Sequence, residues 1–101
     1  MLLCPTSRDE LRKIVEALLN KGVTDLNCID VSHIEDFSSL FVDLDPGEID
    51  ISKWNVSNGK YFTEMFFYCR KFNCDLSKWR LDNAVNCYKM FSDCINLTSV
   101  P

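Results

Sequence analysis

Between residues 7 and 22 the apolar positions fall on one side of a helix. Leu11, Ile14, Val15, Leu18 and Leu19 recur at i, i+3, i+4, i+7 and i+8, while Arg12, Lys13, Glu16 and Asn20 take the other faces. Ser7 and Glu10 have the S-x-x-E spacing of a capping box, in which each side chain satisfies a free backbone donor at a helix start. Lys21-Gly22 places a cation in the last turn and a glycine where a left-handed cap is wanted. The pattern predicts one helix from about Arg8 to Lys21.

Beyond this helix the pattern repeats on a longer scale. Laid on Asp75–Ser99 without a gap, the segment Asp50–Cys74 matches at Asp50/Asp75, Ser52/Ser77, Lys53/Lys78, Trp54/Trp79, Asn58/Asn83, Met65/Met90, Phe66/Phe91 and Cys69/Cys94. Ile51/Leu76, Val56/Leu81, Gly59/Ala84 and Phe72/Leu97 keep the register. A fainter copy precedes them, with Asp25, Leu26, Ile29, Val31, Ser32, Phe37, Leu40 and Phe41 in matching columns. Units this small cannot bury an apolar face alone and are completed by their neighbours. The expectation is therefore a single domain in which residues 1–24 form a capping helix and residues 25–101 form three stacked repeats. Within a repeat, D-[IL]-S-K-W suits a strand of a parallel ladder, and Tyr61–Cys69, with Phe62, Met65, Phe66 and Cys69 at helical spacing, suits one or two helical turns. Trp54, Trp79, Met65, Met90, Phe66 and Phe91 are expected to be buried, each against its copy.

Composition agrees with one folded domain: 101 residues, 47% hydrophobic and 26% charged, with aromatics at 12%. The apolar start Met1-Leu2-Leu3 is too short for a secretory leader, and no apolar run approaches a membrane span. Cys4, Cys28, Cys69, Cys74, Cys87 and Cys94 then read as reduced thiols, and a cytoplasmic location is expected. The formal charge of -4 is unevenly spread: Asp25, Asp30, Glu35, Asp36, Asp43, Asp45, Glu48 and Asp50 fall between Gly22 and Ser52 with no Lys or Arg among them. An acidic total argues against non-specific nucleic-acid binding, which requires a basic surface.

The run Asp-Ile-Ser-Lys-Trp-Asn-Val-Ser-Asn at 50–58, followed by Met65-Phe66, Cys69 and Phe72-Asn73, resembles the BspA-like leucine-rich repeats, also known as the DUF285 repeat of bacterial, mycoplasmal and phage proteins. The resemblance covers residues 25–101. It implies an α/β fold, a short leucine-rich-repeat-like solenoid with an N-terminal capping helix, and a role in adhesion or protein recognition. Surface members carry export signals and long arrays, so the adhesin role does not transfer. Gly59 and Ala84 stand where the family pattern has a larger aliphatic residue. In the first unit Leu44 takes the Cys column, and Pro46-Gly47 replaces the usual return loop.

Candidate chemistry is sparse. Trp54 and Trp79 could form a stacking platform, but tryptophans at the repeat period read first as a core ladder. Cys69 and Cys94 share a column in which stacked strands place copies about 5 Å apart, which leaves open a disulfide beside the favoured buried thiol. Zinc would want C-x-x-C or paired histidines, whereas the spacings are Cys69-x₄-Cys74 and Cys87-x₆-Cys94 with the lone His33, read as a surface residue. The loop Asp43–Asp50 fails the EF-hand order. Asn55-Val-Ser57 and Asn96-Leu-Thr98 spell glycosylation acceptors that a cytoplasm does not use. The expectation is a binding module and not an enzyme, with no cofactor, no metal and no membrane contact. Its partner is expected to be another protein with a basic surface, met through Asp43, Asp45, Glu48 and Asp50, which Pro46-Gly47 should turn outward. An alternative is a phage-encoded, anti-CRISPR-like inhibitor whose acidic surface occupies the basic channel of a nucleic-acid-handling host enzyme.

Overall fold

In the computed structural model, which describes residues 3–44 and 46–101, helix α1 spans Arg8–Asn20. The Ser7 hydroxyl accepts from the Glu10 N–H at 3.2 Å. Glu10 reaches back past Ser7 and accepts instead from the Thr6 N–H at 3.1 Å, so the capping box closes one residue early. Lys21 is the C-cap, and Gly22 leaves the helix with φ 77. Leu11 and Val15 are fully buried, while Ile14, Leu18 and Leu19 pack against the core with one side open.

Two expectations about the repeats are corrected. D-[IL]-S-K-W is a turn and not a strand: the Ser52 N–H donates to Asp50 Oδ1 at 2.9 Å, and the Trp54 N–H donates to Ile51 O at 3.1 Å. Asp75-Ser77 and Leu76-Trp79 repeat the arrangement. An Asp two residues before a Ser offers the backbone a local partner, and that outweighs the β-preference of the Ile and Trp. Among the described residues the β contacts are isolated parallel bridges at Leu3–Ile29, Asp25–Asp50, Asp36–Tyr61 and Tyr61–Asn86.

Nor is Tyr61–Cys69 helical. The N–H groups of Met65, Phe67 and Cys69 donate to the carbonyls of Phe62, Glu64 and Phe66, making a chain of tight turns. The intervening N–H groups of Phe62, Glu64, Phe66 and Tyr68 leave the unit and donate to Asn86, Tyr88, Met90 and Ser92 at 2.8 to 3.0 Å. This path requires left-handed residues at fixed places. Ser39, Glu64 and Lys89 form one such set (φ 56, 55 and 53), and Asp43, Tyr68 and Asp93 form another (φ 67, 62 and 63). Each costs roughly 1–2 kcal/mol for a non-glycine residue, which bonding to the neighbouring unit offsets.

The columns stack as the period requires. Phe37 lies on Phe62 and Phe41 on Phe66, both with ring centroids 5.2 Å apart, and Trp54 lies on Trp79 at 6.5 Å. Both indole N–H groups are satisfied, donating to Leu26 O at 2.9 Å and Ile51 O at 3.1 Å. Met65, Met90, Phe66 and both tryptophans are buried; Phe91, which has a unit on one side only, is half-buried. Gly59 is explained by Phe62: a Cβ there would sit 2.3 Å from Phe62 Cζ. In the next unit the same columns hold Ala84 and the smaller Cys87. The result is a compact body with a radius of gyration of 12.2 Å, one N-terminal helix and little regular sheet.

At the α1 end, the outward carbonyls of the first unit are covered by two arginines. Arg8 donates from Nε to Ser38 O at 2.5 Å and from a terminal nitrogen to Ser39 O at 3.1 Å. Arg12 donates to Leu40 O at 3.0 Å and Val42 O at 2.8 Å, and its Nε pairs with Glu16 at 2.6 Å. A guanidinium has five donors in a fixed fork, so two side chains suffice for a row of acceptors.

Candidate interaction surface

The acidic stretch divides into carboxylates that serve turns and carboxylates that face outward. Asp25 accepts from the Asn27 N–H, Asp30 from Ser32, Asp36 from Ser38 and Asp50 from Ser52, each two residues on. The Ser52 bonds hold the Asp50 carboxyl below the usual carboxylate range, and Ser32 does the same for Asp30. Glu35 pairs with Lys60 at 3.1 Å, so a cation from a later unit reaches this stretch. Of the four expected binding residues, Asp43, Glu48 and Asp50 are exposed, and Asp45 lies outside the described residues. Pro46 itself is buried, with Gly47 half-exposed beside it.

Asp43 has the most informative surroundings. It lines one shallow depression with Val42, Phe67 and Tyr68, and another with Glu16, Leu19, Asn20 and Leu44 at the end of α1. Neither depression includes Glu48 or Asp50. Asp43, Tyr68 and Asp93 occupy one column, all three left-handed, so their side chains leave successive units in the same way. Tyr68 is 53% exposed, and the Phe67 ring meets it edge-on at 5.0 Å. Tyr68 therefore stands between Asp43 and Asp93 in the column, sharing a depression with Asp43, while the Asp93 carboxylate accepts from the Ser92 hydroxyl at 3.4 Å. Sequence reasoning found Asp43 but missed Phe67, Tyr68 and Asp93. The signal was present in the 25-residue register, where Tyr68 and Asp93 fall in the column of Asp43.

The other candidates separate clearly. His33 is exposed, with Nδ1 3.3 Å from the Ser32 hydroxyl. It borders one depression with Thr6, Arg8, Asp9 and Asp36 and another with Asn58, Lys60 and Asn83. No cysteine lines either. The Cys69 and Cys94 thiols donate to Phe41 O at 3.6 Å and Phe66 O at 2.9 Å, repeating one inter-unit bond. Burial raises the Cys74 thiol above its ordinary value, which leaves it a poor nucleophile. Among the described residues no three His, Cys, Asp or Glu side chains gather as a metal site would need, and no helix is long and apolar enough to cross a membrane.

A family model described as a Mycoplasma protein of unknown function, DUF285, matches residues 10–100. No curated protein and no solved structure matches the chain.

Proposed function

The chain belongs to the DUF285 family, and from that premise we propose that it is a protein-binding module, a short leucine-rich-repeat-like solenoid capped by α1, acting inside a bacterial or phage-infected cell. Parallel bridges between equivalent residues, Asp36 to Tyr61 and Tyr61 to Asn86, support the solenoid reading. The observation that carries the function is the column Asp43, Tyr68 and Asp93 with Phe67 at its side. This arrangement suits an Arg or Lys side chain of a partner protein. The cation lies over the Tyr68 ring, for about 0.5–1 kcal/mol at an exposed site, while the two carboxylates supply charge and hydrogen-bond acceptors. Asp30 and Asp50, whose turns hold their carboxyls below the usual range, remain ionised and steer such a partner toward the surface.

The test is a titration of the protein with an arginine-rich nonapeptide, followed by NMR at low and at physiological salt. The Tyr68 ring protons and the Asp43 and Asp93 amides should shift together, and binding should weaken as salt rises. Tyr68→Ala and Asp43→Asn should each lower affinity about two- to fivefold with an unchanged melting curve, the equivalent of one exposed contact. Shifts spread over residues 25–50 that leave Tyr68 unmoved would refute this site.

A further inference from the structure

The only Asn-Gly pair in the chain is Asn58-Gly59, and it sits at the contact between the first two units. Both residues are there for structural reasons. The Asn58 side chain donates from Nδ2 to Ser32 O of the preceding unit at 2.8 Å, and Asn83 repeats this bond to Ser57 O at 2.8 Å. Gly59 is buried and leaves the room that the Phe62 ring fills. Its N–H donates to Val56 O at 2.9 Å, as that of Ala84 does to Leu81 O at 3.1 Å. The packing of Phe62 thus places after Asn58 the residue least able to block attack on a side-chain amide. After Asn83, in the same turn, the methyl group of Ala84 stands in the way.

We propose that Asn58 is a self-modification site, gated by the contact between the first and second units. In the reaction Gly59 N loses its proton to solvent and bonds to Asn58 Cγ, the Cγ–Nδ2 bond breaks, and the amide nitrogen takes up a proton and leaves as ammonia. One water then opens the resulting succinimide at either carbonyl, giving aspartate or isoaspartate at position 58. No electrons are exchanged, and water is the only co-reactant. In the folded protein both reacting groups are engaged: Ser32 O holds the leaving nitrogen and Val56 O the attacking one. Asn58 is exposed, so water reaches it, and parting from Ser32 is the step that frees it. The product cannot return to that contact. A carboxylate has no donor to offer Ser32 O and sets oxygen against oxygen there. Each opening that reacts therefore leaves the first contact permanently weaker, while the second, held by Asn83, is spared.

The test incubates the full chain at mildly alkaline pH, in buffer and in urea at one temperature, and follows it by tryptic mass spectrometry. Cleavage after Lys53 and Lys60 isolates Trp54–Lys60, in which fragment ions separate Asn58 from Asn55, and Leu81–Lys89 carries Asn83 as the control. Asn58 should gain the mass of the acid and an isoaspartate product at least about tenfold faster in urea than in buffer, with Asn83 unchanged over the same period. Trp54→Phe removes the indole bond to Leu26 O across the first contact, and Trp79→Phe removes the equivalent bond to Ile51 O across the second. In buffer the first variant should speed the reaction at least about threefold, and the second should leave it within about twofold of the parent. The deamidated chain, separated by anion exchange on its added negative charge, should unfold at lower urea than the parent, and Asn58→Asp should shift the same way. Equal rates in buffer and urea would overturn the gate, and equal acceleration by the two tryptophan variants would move it from the first contact to global unfolding. No conversion in urea would remove the site itself, and an unchanged midpoint in the deamidated chain would refute the lasting weakness of the contact.

Discussion

At the α1 end of the molecule the exposed backbone atoms are carbonyl oxygens; at the opposite end they are amide nitrogens. The first row is met by Arg8 and Arg12, whose guanidinium groups take Ser38, Ser39, Leu40 and Val42. The second row, Cys87 to Asp93, meets nothing among the described residues. The asymmetry follows from the backbone path. Left-handed residues four apart shape each unit, and the N–H groups of alternate residues leave it in one direction, so the two ends cannot be finished by the same chemistry. Two arginines of α1 complete one end with donors, and the other end presents donors that a guanidinium cannot satisfy.

The comparison is most directly broken by shaving the same column at two places. Phe66→Ala, between two units, should cost roughly 3–5 kcal/mol, and Phe91→Ala, with one neighbour, less than half as much. Chemical-denaturation midpoints that fall equally would mean that the open end is as well packed as the interior. Arg12→Ala should cost about 2–3 kcal/mol, because it strands acceptors that a charged donor had satisfied. Arg12→Lys should recover only part of the loss, since an ammonium lacks the planar fork. A thermal melt unchanged in Arg12→Ala would show that water caps those carbonyls equally well.

Gly59→Ala should cost about 1–2 kcal/mol by overpacking against Phe62, whereas Gly59→Ala combined with Phe62→Cys, the pairing found at Ala84 and Cys87, should relieve the clash. The effect of the single change is smaller than those above because one ring can shift; a stabilised single variant would place the Phe62 ring elsewhere. The smallest effect concerns pH. Hydrogen bonds from Ser52 and Ser77 lower the Asp50 and Asp75 carboxyls in the folded state. Their contribution is therefore full above the unfolded value of about 3.9 and is lost as pH falls through the lowered folded values. Asp50→Asn should shallow the acid-denaturation curve slightly, and Asp75→Asn less, because Asn27 of the preceding unit also hydrogen-bonds the Asp50 carboxyl while Asp75 is held by its own turn. Equal effects at the two positions would show that the contact with Asn27 adds nothing to the turn.

Legibility varied with the range of the interaction. Helix α1 was readable to within one residue because its stripe and its Ser7 cap are local. The columns were readable because equal residues at equal spacing meet their copies. The strand and helical turns expected inside each unit were misread: Ile51 and Trp54 signalled a strand while Asp50 and Ser52 signalled a turn, and the shorter-range hydrogen bond prevailed. Phe62, Met65, Phe66 and Cys69 have helical spacing, but left-handed Glu64 and Tyr68 between them carry no glycine to announce the break. At the candidate surface Asp43 was visible as a charge, and Asp50 was indistinguishable from it until Ser52 was seen to bond it.

The order of residues by itself determined the helix, the 25-residue register and the set of side chains that must be buried, because each is a periodicity and periodicity is a property of the chain. Tertiary structure alone decided which backbone groups are left over. Whether Arg12 is a solvated helix charge or a cap on Leu40 and Val42, and whether the N–H of Phe91 is bonded or open, depends on what lies beside it in space. A hydrogen bond across units has no sequence pattern of its own. Its geometry exists only once the neighbouring unit is in place.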